Sequence, residues 1–301
     1  MRITANDVRK QYGTVTALDG LSLEIPDGTT FGVLGTNGAG KTTLFKLLVG
    51  LDRPDGGELW IGDRSVADAG RSLREDVGYL PEHVGFPGAL SGREVLEFHA
   101  DVRGLPRDGR IDDVIGTVGL STSAADRAVS GYSNGMRRRL GLAAAVLPRP
   151  GVLILDEPTA GLDPRGVVEF HRIVDRVRED TGATVVLSSH VLSEIERVCD
   201  RVAVLDRGRI ALEGAVEELV DADDVTVRLT PADGSADELT AAAEAFGRTA
   251  ETNGTVAVRC SASEVPALFA AVESTTDIAD VTVERDGLDS AFREALGEVA
   301  T

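Results

Sequence analysis

An α/β fold built on a parallel sheet, with a small α+β domain after it, is what this sequence predicts, and three observations predict it. Val152-Leu153-Ile154-Leu155 and Ala183-Thr184-Val185-Val186-Leu187 are continuously apolar, the mark of parallel strands covered on both faces. Thr30-Phe31-Gly32-Val33-Leu34 reads the same way and runs into Gly35-Thr36-Asn37-Gly38-Ala39-Gly40-Lys41-Thr42, a G-x-x-x-x-G-K-[ST] loop opening a helix over Thr43–Val49. From Asp223 to the end, acidic residues outnumber basic ones 16 to 5, and this shift in composition marks a second domain.

The remaining elements follow in order. Residues 1–30 alternate and turn at Gly13, Gly20 and Pro26-Asp27-Gly28, which suggests short antiparallel strands, and Glu58–Gly62 continues that character. Residues 82–147 differ: Arg93–Val102 and Ile111–Val118 read as helices, separated by Gly104-Leu105-Pro106. Val202–Leu212 places Asp206-Arg207-Gly208 between apolar runs and reads as a hairpin. The acidic tail alternates strand and helix: Val225–Leu229, Asp237–Phe246, Val256–Cys260, Glu264–Val272, Val281–Glu284 and Ser290–Leu296. Two domains are therefore expected, 1–222 with a helical subdomain at about 82–147, and 223–301.

Charge narrows the partners. A formal net charge of -19 argues against direct binding to nucleic acid or anionic lipid. Lys10, Lys41 and Lys46 are the only lysines among 31 cationic residues. Abundant carboxylates with scarce lysine suit a salt-accumulating host, a halophile; a high-GC genome explains the arginines but not the charge. Cys199 and Cys260 lie far apart in sequence and read as core thiols of a reducing compartment. No apolar run approaches the length of a membrane span, and the first residues carry no apolar signal region, so a cytoplasmic protein is expected.

The glycine-rich loop carries the first piece of chemistry. Its glycines allow a tight turn in which successive N–H groups converge on phosphate oxygens, and the following helix adds a favourable dipole. Gly35, Asn37, Gly38, Ala39, Gly40, Lys41, Thr42 and Thr43 are the residues expected around a nucleoside triphosphate, Lys41 on the β- and γ-phosphates and the Thr42 hydroxyl on Mg²⁺. Asp156-Glu157-Pro158 ends an apolar strand with adjacent carboxylates. Asp156 would hold Mg²⁺ indirectly, and Glu157 would polarise the water that attacks the γ-phosphate.

Downstream lie Ser130-Gly131-Tyr132-Ser133-Asn134-Gly135-Met136, Thr159-Ala160-Gly161-Leu162-Asp163-Pro164 and Ser188-Ser189-His190. In this order, residues 2–220 resemble the ATPase subunits of ABC transporters. That resemblance implies a RecA-like parallel core with an antiparallel β subdomain and a helical subdomain, and ATP and Mg²⁺ as ligands. It also implies that Tyr12 stacks on adenine, that Ser133 and Gly135 contact the γ-phosphate on an opposite subunit, that Asp163 crosses between sites, and that His190 is the switch histidine. Two copies must then face each other head to tail with ATP between them. His83, His99 and His171 lack such context and read as surface or packing residues.

Two departures from the family pattern refine the resemblance. Tyr132, Asn134 and Met136 stand in a signature usually written Leu-Ser-Gly-Gly-Gln, and Glu82 replaces the usual metal-associated glutamine. Both variations resemble the branch that serves ABC-2-type exporters, which implies a separate integral membrane permease to which this chain attaches peripherally. Within residues 80–96 the resemblance is to NosF-type ATPases, which mature the copper centres of nitrous oxide reductase with a membrane protein and an exported accessory protein. Two Met, two distant Cys and four scattered His cannot build a copper site, so a partner would carry copper. Multidrug, antibiotic or polysaccharide export is the alternative within the class. A membrane-free ATPase of iron–sulfur cluster assembly is the alternative outside it, and the residues at Glu82 and Tyr132 count against it. Translation factors with two cassettes, repair ATPases with a long coiled coil, and small GTPases lack this arrangement of motifs.

Overall fold

The computed structural model describes residues 1–106, 108–220, 224–232, 236–252, 254–285 and 287–297, and the chain divides into two compact units, Met1–Glu213 and Gly214–Thr301. The expected boundary at 222/223 lies outside the described residues.

In the first unit the elements run β1 (Ile3–Tyr12), β2 (Val15–Ile25), β3 (Thr30–Gly35), α1 (Lys41–Leu48), β4 (Gly56–Ile61), β5 (Arg64–Ser65), α2 (Val66–Asp76) and β6 (Val77–Leu80). They continue as α3 (Gly92–Arg103), α4 (Arg110–Thr117), α5 (Thr122–Ala125), α6 (Asn134–Val146), β7 (Val152–Leu155), α7 (Pro164–Thr181), β8 (Thr184–Ser188), α8 (Leu192–Val198), β9 (Arg201–Asp206) and β10 (Arg209–Ala215). Six strands form the core sheet in the order β10-β9-β3-β8-β7-β6, and β2-β1-β4-β5 form a separate antiparallel sheet. The pairs β9-β3, β3-β8, β8-β7 and β7-β6 are all parallel, and every residue of β3, β7 and β8 is buried. A parallel sheet with both faces covered accounts for those uninterrupted apolar runs.

The N-terminal strands are not short: β1 spans 10 residues and β2 spans 11. Register shifts between Ala5 and Val8, Val8 and Arg9, and Lys10 and Gln11 break the alternation that would have shown their length in sequence. Local chemistry sets the helix ends. Ser91 and Glu94 form a reciprocal capping box on α3, which stops at Gly104 in the left-handed conformation. Asp163 caps α7 ahead of Pro164, and Gly182 ends it in the same left-handed way.

In the second unit α9 (Val216–Leu219) precedes β11 (Asp224–Pro231), α10 (Ala236–Ala243), β12 (Arg248–Thr252), β13 (Thr255–Ser261), α11 (Val265–Glu273), β14 (Ile278–Arg285) and α12 (Leu288–Ala295). The sheet order β12-β13-β11-β14, with antiparallel pairing and a β-α-β-β-α-β sequence, is a ferredoxin-like arrangement. Val225, Val227, Leu229, Val256 and Val258 pack beneath Leu239, Leu268 and Val272 in a core of its own. Strand β12 has no counterpart among the sequence-predicted elements. Arg248-Thr249-Ala250-Glu251-Thr252 is a polar edge strand, and its chemistry resembles that of a loop.

Candidate nucleotide-hydrolysis site

The glycine-rich loop leaves the C-terminal end of β3 and is clamped from behind by the β9–β10 turn. The Gly208 N–H donates to the Ala39 carbonyl at 2.9 Å. A Cβ at Gly40 (φ 113°) would stand 2.6 Å from the Ala17 carbonyl oxygen, and one at Gly35 would stand 2.5 Å from that of Leu205. No side chain fits at either place, so the backbone can close into a nest. Thr36, Asn37 and Gly38 are exposed at its rim and Ala39 is buried. Lys41 is buried, and its Nζ donates to the carbonyls of Gly35 at 2.6 Å and Thr36 at 3.3 Å, across the mouth of the nest.

Strand β7 delivers the carboxylates beside this loop. Asp156 is only 1% exposed. Its Oδ1 accepts from the Ser188 hydroxyl at 2.8 Å, and that hydroxyl accepts from the Glu157 N–H at 2.8 Å. The end of β8 thus ties the two carboxylate residues together. Glu157 carries φ 43°, a left-handed backbone uncommon outside glycine, and its Oε2 lies 2.8 Å from His190 Nδ1. Such strain persists only where neighbours over-determine it, and here it aims a carboxylate at an exposed imidazole.

Electrostatics single out Asp156. Burial pushes its pKa up, hydrogen bonding from Ser188 and Thr42 opposes this, and the negative Glu82 and Glu157 add to the rise. Its Oδ2 is buried with no hydrogen-bond partner. An orphaned carboxylate oxygen near a threonine hydroxyl, with two further carboxylates close enough to perturb it, fits a divalent cation. Among the described residues no group of three or more His, Cys, Asp and Glu forms a metal cage. Mg²⁺ does not require one, because it uses one or two carboxylates together with substrate phosphates. Thr42 and Asp156 are suited to be its protein partners. Glu82 is half-exposed, the His83 ring at 3.9 Å is its one ion-pair neighbour among the described residues, and it acts on Asp156 through its charge.

The other sequence-predicted residues fall in two places. Tyr12 is 44% exposed at the end of β1, and its hydroxyl donates to Asp52 Oδ2 at 2.6 Å with Lys10 Nζ 5.2 Å from the ring centre. Ser133 caps α6 by accepting from the Met136 N–H at 3.3 Å, and Asp163 caps α7 through the Gly166 N–H at 2.6 Å. Ser133, Gly135 and Asp163 line one groove of about 730 Å³, and no residue of the glycine-rich loop lines it. The signature residues and the phosphate nest therefore belong to separate surfaces of one chain.

Several residues at the site escaped the sequence reading. Ser188 was noted only as part of a Ser-Ser-His run. Arg138 reads in sequence only as part of a basic helix start, Arg137-Arg138-Arg139, yet it is buried and donates to two carbonyls, those of Pro81 and Glu157. Its spacing to the buried Leu142 and Ala145 is helical and would have placed it on the inner face. His171 is buried beside Arg197 and Glu194, and Glu194 accepts from the Thr159 hydroxyl at 2.6 Å, so this histidine packs behind the site.

Comparison with known proteins bears on the same residues. A family model described as "ABC transporter" matches residues 18–160. The daunorubicin resistance ATP-binding protein DrrA3 of Streptomyces coeruleorubidus is 36% identical, with 98% of this chain and 96% of the relative covered. The bacitracin transport ATP-binding protein BcrA of Bacillus licheniformis is 37% identical, over 70% of this chain and 69% of the relative. Among solved structures, an ATP-binding subunit of an ABC transporter superposes with a TM-score of 0.66 at 26% identity, covering 73% of this chain and 92% of that one. CbiO1 from Clostridium perfringens, part of a CbiONQ transporter complex, gives 0.65 at 30% identity, covering 72% and 89%.

Proposed function

We propose, from the premise that this chain belongs to the ABC transporter ATP-binding proteins, that it is the ATPase of an ABC-2-type exporter and works as a head-to-tail pair bound to a membrane permease. The observation that carries the hydrolytic part is the hydrogen-bonded chain from Asp156 through Ser188 to the Glu157 peptide, with the Glu157 carboxylate on His190.

The chemistry follows from these positions. ATP enters with its triphosphate in the nest of residues 35–43, where Lys41 exchanges its two carbonyl partners for phosphate oxygens, and its adenine stacks on Tyr12. Mg²⁺, held by the Thr42 hydroxyl and Asp156 with the charge of Glu82 nearby, would neutralise charge on the β- and γ-phosphates. Glu157 orients the attacking water and accepts its proton, and His190 holds that carboxylate while presenting its other ring nitrogen to the γ-phosphate. The γ-phosphate is completed from the other side by Ser133 and Gly135 of a second copy, because these residues lie away from their own nest. Binding closes the pair, and loss of the γ-phosphate opens it.

Export of a drug-like or antibiotic molecule is favoured by DrrA3, whose likeness extends through the second unit, and by BcrA. The segment after β6 is where we place the permease contact. It borders a cavity of about 460 Å³ lined by Val84, Phe86, Phe98 and His99, with Phe98 61% exposed. Among the described residues no helix is long and apolar enough to cross a membrane; attachment at the cytoplasmic face through the permease belongs to the same proposal. The copper-maturation role of NosF-type ATPases is the second reading, resting on residues 80–96 alone. The acidic surface suits a salt-rich cytoplasm.

Glu157→Gln tests both levels. The variant should bind Mg-ATP, turn it over at least about a hundredfold more slowly, and accumulate as a dimer in molar KCl by light scattering. Unimpaired turnover would remove Glu157 from its role. Captured from membranes with Mg-ATP, the variant should bring down an ABC-2-type permease. A permease with an exported copper-loading protein would favour the second reading, and capture of no membrane protein would overturn the transport role.

A further inference from the structure

The hydrolysis scheme above leaves one buried guanidinium unused. Arg138 lies in α6, five residues beyond the Ser133 cap, and is 7% exposed. Its Nη1 donates to the Pro81 carbonyl at 2.8 Å and its Nη2 to the Glu157 carbonyl at 3.1 Å. The adjacent Arg139 faces elsewhere, to the Gly119 carbonyl and Glu169. Pro81 follows β6 and Glu157 follows β7, and these strands are parallel neighbours with Leu80 opposite Leu155. The two carbonyls therefore leave the sheet side by side, and a planar fork of donors spans both, which the single ammonium of lysine does less well.

Burying a guanidinium is costly unless charge and hydrogen bonds offset it. Burial lowers the Arg138 pKa, while Glu82, Asp156 and Glu157 each work the other way. Without that cation three carboxylates would crowd one end of two strands. Glu157 also needs support: its left-handed peptide is tied through its N–H to Ser188 and through its carbonyl to Arg138.

We propose that Arg138 is a positioning residue for hydrolysis, clamping the Pro81–Glu82 segment to the peptide of Glu157 and supplying the positive charge that makes a carboxylate at position 82 tolerable. The proposal rests on the reading of Glu157 given above. It makes α6 a rod with the signature cap at its start and the Glu157 peptide of its own chain held at its side. Movement of the segment after β6, where the permease contact is placed, would reach Glu157 through one side chain.

The test is a set of variants on the full chain: Arg138→Gln, Arg138→Lys, Glu82→Gln and the Arg138→Gln/Glu82→Gln pair, with Lys41→Ala as the inactive control. Arg138→Gln should lower kcat by about tenfold or more and leave KM for ATP within about twofold, since it moves the polarising group and not the phosphate nest. Adding Glu82→Gln should return several-fold of the lost rate, because the carboxylate needing a counter-charge is then gone. A purely structural arginine gives no such rescue. Amide hydrogen exchange should quicken in residues 80–86 and 156–160 of both Arg138 variants and stay unchanged in residues 225–229. Wild-type kcat in Arg138→Gln, or a Glu82→Gln loss that simply adds to it, overturns the proposal. If wild type and Lys41→Ala hydrolyse ATP equally poorly, the hydrolytic reading has failed instead. Exchange then still decides the clamp, and unchanged exchange at both loops sinks it. Should the Gln variant fail to fold, the Lys variant, which keeps the buried charge, carries the same exchange prediction.

Discussion

At the scale of single residues, the support of Tyr12 shows how much one carboxylate can organise. Asp52 accepts from the Tyr12 hydroxyl, from Lys10 Nζ at 3.0 Å and from the Arg53 N–H at 2.7 Å. These bonds, the tyrosine's foremost, hold its pKa down from 3.8 to about 2. A depressed carboxylate stabilises the fold above its ordinary pKa, and that contribution fades as pH falls through the folded value. Asp52→Asn should therefore flatten the acid loss of stability between about pH 4 and pH 2. Melting temperatures of wild type and variant across that range would check it, and parallel curves would refute it. Lys41, Glu157 and His190 stand out in the sequence as candidates because each sits in a contiguous motif, whereas Tyr12 stands out only through the family resemblance. Asp52, Ser188 and Arg138 do not stand out, because what defines each is a partner far along the chain, Tyr12, Glu157 and Pro81 in turn, brought near by the fold.

At the scale of elements, the start of α3 and the signature segment are fitted to each other. Tyr132 is buried and donates to the Ala124 carbonyl at 2.7 Å, and a Cβ on Gly92 would stand 2.3 Å from its hydroxyl oxygen. The unusual tyrosine of the signature is thus a packing residue whose hydroxyl occupies the space a side chain at position 92 would need. Gly92→Ala should cost about 1–3 kcal/mol by urea denaturation, as overpacking of a filled site does. Tyr132→Phe should recover part of that loss by removing the colliding oxygen, and a Gly92→Ala variant as stable as wild type would dismiss the fit. The helix over Arg93–Val102 was legible in sequence, and capping chemistry at Ser91-Glu94 and Gly104 bounds it, whereas α7, bounded by Asp163-Pro164 and Gly182, has no counterpart among the sequence-predicted elements. Strands were well marked where both faces are buried, or where one buried face alternates regularly, as in β13. The irregular β1–β2 pair and the polar edge strand β12 lack that signal.

At the scale of the whole molecule, charge and pairing dominate. With a net charge of -19, self-repulsion opposes the folded state, and salt relieves it by shortening the Debye length from about 10 Å at 0.1 M to about 3 Å at 1 M. The melting temperature should rise by several degrees from 0.1 M to 1 M KCl in a thermal scan, and a flat or falling trend would count against the salt-adapted reading. The groove that holds Ser133, Gly135 and Asp163, apart from the phosphate nest, has a consequence for inheritance. If each working site borrows its second half from another copy, fitness is set by pairs of gene products. A cell in which half the copies carry a damaged Ser133 would assemble only roughly one quarter of its pairs with both sites whole. Damage at the signature would then be dominant in a mixed population of subunits, although each faulty subunit keeps its own nest intact.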